Sequence, residues 1–193
     1  TQSPDSKFQI TYYPLKNHSA EVKNDEWWNS QTGNATNPDI PDYIEDLDAA
    51  LNQAYDHLLK IPKLGGMLFS PLSEPIKVTV KNTGTAEGSV FLPTGSMSIT
   101  NYKLKNFNEM RKVAGHELTH LLQDQHYNTY NAANNKWFFE ATAEHFSMRA
   151  NAFSEPQRGS YYEEGGTDYL RVPLTTSSEK NMYFVGHFLD WIS

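Results

Sequence analysis

The chain has 193 residues, a formal net charge of −7, 13% aromatic residues and no cysteine. That length fits one domain with a real core, and the missing thiols exclude a disulfide framework or a thiolate metal site. The acidic balance, without any Lys/Arg cluster, argues against nucleic acid as a partner, and no apolar run approaches the length of a membrane span.

In chain order, Phe8 to Tyr13 reads as a strand, followed by a polar loop rich in Asn, Asp, Gly and Pro. Trp27 and Trp28 fall in that loop, where packing onto the body is preferred to a sugar- or peptide-binding role. Pro41 then opens an amphipathic helix, with Ile44, Leu47, Leu51, Ala54, Tyr55 and Leu58 at three- and four-residue spacing, ending near Lys60. His57 belongs to its surface.

Between residues 61 and 104 the period changes to two. Ile76 to Val80 alternates, and Ser89 to Leu92 and Ser96 to Thr100 are further short strands between Pro and Gly, predicting a small sheet. An edge strand of such a sheet, beside a cleft, can pair with an extended peptide, although the sequence does not say which strand is the edge.

From Asn108 the helical period returns, with Met110, Ala114, Leu118, Leu121 and Leu122 on one side and His116 and His120 on the other. A second helix begins at Lys136. Phe139, Ala143, Phe146, Ala150 and Phe153 are expected on its buried face, and Glu140 and Glu144 share an adjoining one. After a Gly- and Tyr-rich loop, residues 179 to 192 read as a last apolar helix.

These elements predict an α+β fold, a small mixed sheet packed on two helices. The expected single domain covers 1–193, with a sheet-and-helix lobe over 1–104 and a helical lobe over 105–193. The last helix is still apolar where the sequence stops, so a C-terminal continuation is expected. The start at Thr1 rather than Met fits a processed or trimmed form.

Residues 116 to 120 read His-Glu-Leu-Thr-His. Two imidazoles four apart project from one helix face and can hold one Zn²⁺, with the intervening glutamate beside the open coordination position. At this composition the pattern arises by chance in about two chains per hundred, so its setting has to decide. The setting favours a metal, because the histidines lie opposite the leucines of the same helix.

A catalytic zinc takes three protein ligands, and Glu140 is the best third. It stands in Trp137-Phe138-Phe139-Glu140-Ala141, where a lone carboxylate is costly unless it meets a cation. Glu144, one turn later, suits a hydrogen bond to the outer nitrogen of a ligand histidine.

His-Glu-Leu-Thr-His followed by Phe-Glu-Ala-Thr-Ala-Glu resembles the gluzincin metallopeptidases, the clan that includes thermolysin, over about residues 108 to 153. The resemblance implies a zincin-like fold with His116, His120 and Glu140 as zinc ligands and Glu117 as the base that polarises water. Thermolysin-like members carry Asp where this chain has Glu144. The run Phe184-Val185-Gly186-His187-Phe188-Leu189 is similar, more weakly, to a helix of plant basic secretory proteins and other small gluzincins. Gluzincins also supply a Tyr or His to the oxyanion, for which Tyr130, Tyr161, Tyr162, Tyr183 and His187 are candidates. Tyr183 and His187, one turn apart, come first.

A rival reading takes His126 as third ligand, since His116, His120 and His126 have the metzincin spacing; outside that reading His126 is expected in a loop. The turn glycine of that pattern is Gln123 here, a residue that resists the required conformation, and Met182-Tyr183 would have to serve as its methionine turn. Both readings imply peptide-bond hydrolysis, with Zn²⁺ as cofactor and a peptide or protein as substrate. A secreted or extracellular setting is inferred from that function alone. The competing classes are a non-catalytic gluzincin-like module that binds peptides and a structural or carbohydrate-binding domain using the tryptophans.

Overall fold

The computed structural model describes residues 7–12, 40–63, 66–81, 83, 86–100, 104, 106–127 and 136–151. Trp27, Trp28, Tyr130, Phe153, Tyr161, Tyr162, Met182, Tyr183 and His187, and with them the expected helix over 179–192, lie outside the described residues.

The described chain is a mixed α+β fold. A four-stranded sheet is built from β1 (Phe8–Tyr12), β4 (Ile76–Lys81), β5 (Gly88–Phe91) and β6 (Ser96–Thr100), in the order β1-β4-β6-β5. β1 and β6 run parallel to β4, while β5 is antiparallel to β6, which makes β5 an edge. Two two-residue strands, β2 (Pro62–Lys63) and β3 (Gly66–Met67), pair separately. The helices are α1 (Asp42–Leu58), α2 (Phe107–Tyr127) and α3 (Lys136–Asn151).

The alternation in β4 works as period-two patterning requires: Ile76, Val78 and Val80 are buried while Lys77 and Lys81 are exposed. β1 matches it, with Phe8 opposite Ile76 and Ile10 opposite Val78. A short 3₁₀ turn at Leu92–Thr94 joins β5 to β6 through Gly95, whose φ of 59° is a left-handed conformation that glycine adopts without steric cost.

Pro41 precedes α1 rather than lying in its first turn, and its carbonyl accepts the N–H groups of Ile44 and Glu45. The expected apolar stripe of α1 is buried, and His57 is exposed as predicted. Lys7 and Asp56 form an ion pair between the start of β1 and the last turn of α1. Tyr43 of α1 donates its hydroxyl to the Thr100 carbonyl at the end of β6. One hydrophobic core joins β1, β4, β6, α1 and α2, running from Phe8 to Leu122 across the expected lobe boundary.

Helix α2 is capped by Asn106, whose side-chain oxygen accepts the Glu109 N–H at 3.0 Å. It continues through Tyr127, so His126 is a helical residue and not the loop residue expected. No Gly or Pro interrupts Leu121 to Tyr127, and nothing local ends the helix earlier.

The buried face of α3 also differs from expectation. Phe139 and Phe146 are only partly buried, whereas Ala141 through His145, Ser147 and Met148 are all buried. The reason is close packing against α2 through small residues. A Cβ added to Gly115 would stand 3.3 Å from the Ser147 Cα and 3.8 Å from the Ala54 Cβ, so at this point α1, α2 and α3 converge. Among the described residues, no helix is long and apolar enough to cross a membrane.

Candidate metal centre

The convergence of α2 and α3 beside Gly115 brings the sequence-predicted residues together. His116 and His120 sit one turn apart on α2, and Glu140 reaches them from the first half of α3. The His116 and His120 Nε2 atoms are 3.1 Å apart. Glu140 Oε2 lies 3.3 Å from the first and 3.5 Å from the second.

These separations test whether the residues fit a metal. Four ligands around Zn²⁺ at ordinary Zn–N and Zn–O lengths form a tetrahedron with edges of about 3.4 Å. The three donors already stand at the corners of one such face, and their set of two imidazoles and one carboxylate is a common zinc combination. Together they form a group able to hold a metal ion.

The electrostatics agree. Burial of the His116 ring disfavours its cation, yet hydrogen bonding to Glu140 and Glu144 outweighs burial and holds the imidazole up to about 10. Burial would raise Glu140 too, but the two imidazoles prevail and keep its carboxyl well below the usual carboxylate range. A proton and a metal ion therefore compete for the same lone pairs.

Each histidine of the cluster is backed on its outer nitrogen. Glu144 Oε2 is 3.5 Å from His116 Nδ1, and its other oxygen pairs with Lys112 Nζ at 2.6 Å. Burial acts to raise this carboxyl, which is only 3% exposed, but His116 and Lys112 push it down to about 2. The glutamate thus reaches the ring despite being one methylene longer than the aspartate of thermolysin-like proteins, and Lys112 holds it there. His120 Nδ1 meets Gln123 Oε1 at 3.0 Å.

Glu117 is 7% exposed, on the helix that carries both histidines. Burial raises its carboxyl, and the nearby imidazoles offset this only in part, so the group is more basic than an exposed glutamate. Its side chain lies against Gly88 of β5: a Cβ built there would stand 2.6 Å from Glu117 Oε1 and 2.7 Å from its Cγ. The edge strand consequently runs directly alongside the candidate base.

His126 is not brought to the cluster. Its Nε2 accepts the Ser70 N–H at 2.8 Å and its ring packs on Phe69, while the neighbouring Gln125 donates to the Pro71 carbonyl at 3.1 Å. The last turn of α2 thus ties down the segment before β4. The candidate oxyanion donors Tyr183 and His187 are outside the described residues.

Sequence reasoning missed Lys112, Gln123 and Gly88. Lys112 and Gln123 stand four before His116 and three after His120, spacings that put them near the outer faces of the two histidines. Gly88 carries the weaker signal of a glycine inside a strand, which often marks a close approach. Comparisons with protein-family models, curated proteins and solved structures found no match, so the functional reading rests on the residues and their geometry.

Proposed function

We propose that the chain is a zinc-dependent peptidase, of gluzincin type, in which His116, His120 and Glu140 hold the ion and Glu117 is the general base. The observation that carries this is the placing of three donors at tetrahedral-edge separations beside a buried, basic glutamate. The zincin-like reading of the fold draws on the same features: two ligands on α2, the third on α3, and an antiparallel edge strand along the base.

When bound there, Zn²⁺ supplies Lewis acidity that polarises a carbonyl and makes water a stronger acid. Glu117 takes the proton of the attacking water as its oxygen joins the peptide carbon. It then gives that proton to the leaving nitrogen as the C–N bond breaks, and the second proton of the water passes from the new carboxylic acid to the amine, so the products are a carboxylate and an ammonium group. Burial raises this carboxyl and makes it a stronger proton acceptor than an exposed glutamate, as a general base requires.

The substrate is a peptide in extended form. Among the described residues, nothing pairs with the outer side of β5, and a peptide strand added to that edge would lie past Glu117. Gly88 lets that backbone approach the base without a side chain between them.

Cleavage of a broad peptide library, read by mass spectrometry, tests the proposal. Zinc-loaded protein is expected to cut defined bonds and Glu117→Ala to cut them hardly at all while still binding zinc. No cleavage by the zinc-loaded wild type, or equal cleavage by the variant, would overturn it.

A further inference from the structure

The two ligand histidines are backed differently. His116 faces a carboxylate, Glu144, whereas His120 faces a neutral amide, Gln123. Gln123 is 3% exposed, so all its polar atoms must be satisfied inside the protein. We propose that Gln123 is a positioning residue for the metal centre, fixing His120 in the Nδ1–H tautomer and tying its ring to the helix that carries Glu140. This deepens, and rests on, the reading of His116, His120 and Glu140 as a zinc site.

The hydrogen-bond network determines which way the amide points. Thr142 donates its hydroxyl proton to the Phe138 carbonyl at 2.7 Å, leaving its oxygen as an acceptor. Gln123 Nε2 donates to that oxygen at 2.7 Å and to the Phe139 carbonyl at 3.2 Å. Rotating the amide by half a turn would set its oxygen against the Phe139 carbonyl, two acceptors with no proton between them. Oε1 therefore faces His120, and as an oxygen it can only accept.

It follows that His120 Nδ1 carries the proton. In a neutral ring the lone pair is then on Nε2, the atom that stands 3.1 Å from His116 Nε2 and 3.5 Å from Glu140 Oε2. One side chain thus does two things. It selects the nitrogen that meets the ion, and it locks the ring to the Phe138–Thr142 turn, in which Glu140 is the central residue. The spacing between a ligand on α2 and a ligand on α3 is set through a hydrogen-bonded link as well as through apolar packing.

The test compares the full chain with Gln123→Met, which keeps the volume and loses both hydrogen-bonding functions, and with Gln123→Glu, which keeps the acceptor. Zinc affinity is measured by chelator competition and folding by circular dichroism. Outer hydrogen-bond partners of metal ligands typically contribute ten- to hundredfold in affinity, and Gln123→Met is expected to lose about that much. Gln123→Glu, which keeps the acceptor for His120 and loses the link to α3, is expected to recover only part of it. Long-range ¹H–¹⁵N correlation on zinc-loaded wild type should place a proton on His120 Nδ1 and the metal on Nε2.

Equal affinity of Gln123→Met and wild type, or loss of thermal stability in both variants without loss of affinity, would overturn the assignment. So would a metal on His120 Nδ1, which keeps the proposal open to refutation even if Gln123→Met does not fold. A wild type that binds no zinc would remove the zinc reading and this assignment together. A wild type that binds zinc with an indifferent Gln123 would remove only the latter.

Discussion

The sheet and the α2–α3 pair solve burial in opposite ways. β1 and β4 bury Phe8, Ile10, Ile76, Val78 and Val80, side chains that need no partner other than hydrocarbon. Helices α2 and α3 bury Glu117, Thr119, Gln123, Thr142, Glu144, His145 and Ser147. Buried polar groups cost free energy unless they are bonded, and an apolar helix pair would be the simpler way to make a stable domain. The contrast separates a part of the molecule organised for stability from a part organised around a charge.

The difference can be broken most sharply at Glu117. Its replacement by Ala should lower cleavage by about 10²–10⁴-fold, the usual contribution of a general base, while one zinc still binds and the melting temperature hardly moves. Ile99→Ala in β6 should do the reverse. Ile99 is completely buried in the sheet's core, so its truncation should cost about 2–5 kcal/mol in denaturant unfolding and leave the zinc affinity of the folded fraction unchanged.

Gly88→Ala probes the boundary between the two parts. The new methyl would fall 2.6 Å from Glu117 Oε1 and displace the carboxylate. Steady-state kinetics should give a loss of roughly ten- to hundredfold in kcat, the scale for a catalytic group moved by about an ångström, with zinc affinity retained.

The pH dependence supplies the gentlest test. In the zinc-free protein His116 is held at about 10, so at pH 7 its ring carries a proton that must leave before a metal can bind. Zinc affinity should fall about tenfold for each unit of pH lowered between 9 and 7, and calorimetry in buffers of different ionisation enthalpy should find close to one proton released.

Stability of the zinc-free protein follows the same groups. His116 is raised, so its contribution is complete below its ordinary value of 6.5 and is lost as pH rises through about 10. Glu144 is lowered, so its contribution is complete above its ordinary value of 4.5 and is lost as pH falls towards about 2. Melts with a chelator present should therefore show these contributions together between those two ordinary values, weakening on either side. Melting temperatures in the sheet variant Ile99→Ala should shift in parallel with wild type across that range.

The same division explains what was legible in the sequence. Strand β4 could be read because alternation of Ile76, Val78 and Val80 with lysines is a local signal, and β6 was placed with the bounds it has. His116, Glu117, His120, Glu140 and Glu144 could be read because a helix turns spacing into geometry, and because carboxylates among apolar residues need a reason. The burial of α3 could not, since it depends on two neighbouring helices meeting at Gly115 rather than on α3's own period. Nor could the identity of the edge strand, the Gly88 contact or the Gln123 link, all of which exist only once distant segments are packed. Gln123 is instructive: in the sequence it counted against a metzincin turn, and in the fold it sits behind a candidate ligand.

Whether one ion is held by α2 and α3 together can be seen in a crystal of the zinc-loaded protein measured at the zinc absorption edge. A single anomalous peak is expected at about 2.0–2.2 Å from His116 Nε2, His120 Nε2 and a Glu140 carboxylate oxygen, with Glu117 beside it and not bonded to it. Absence of a peak among these three residues, or a strong peak held by other side chains, would contradict it.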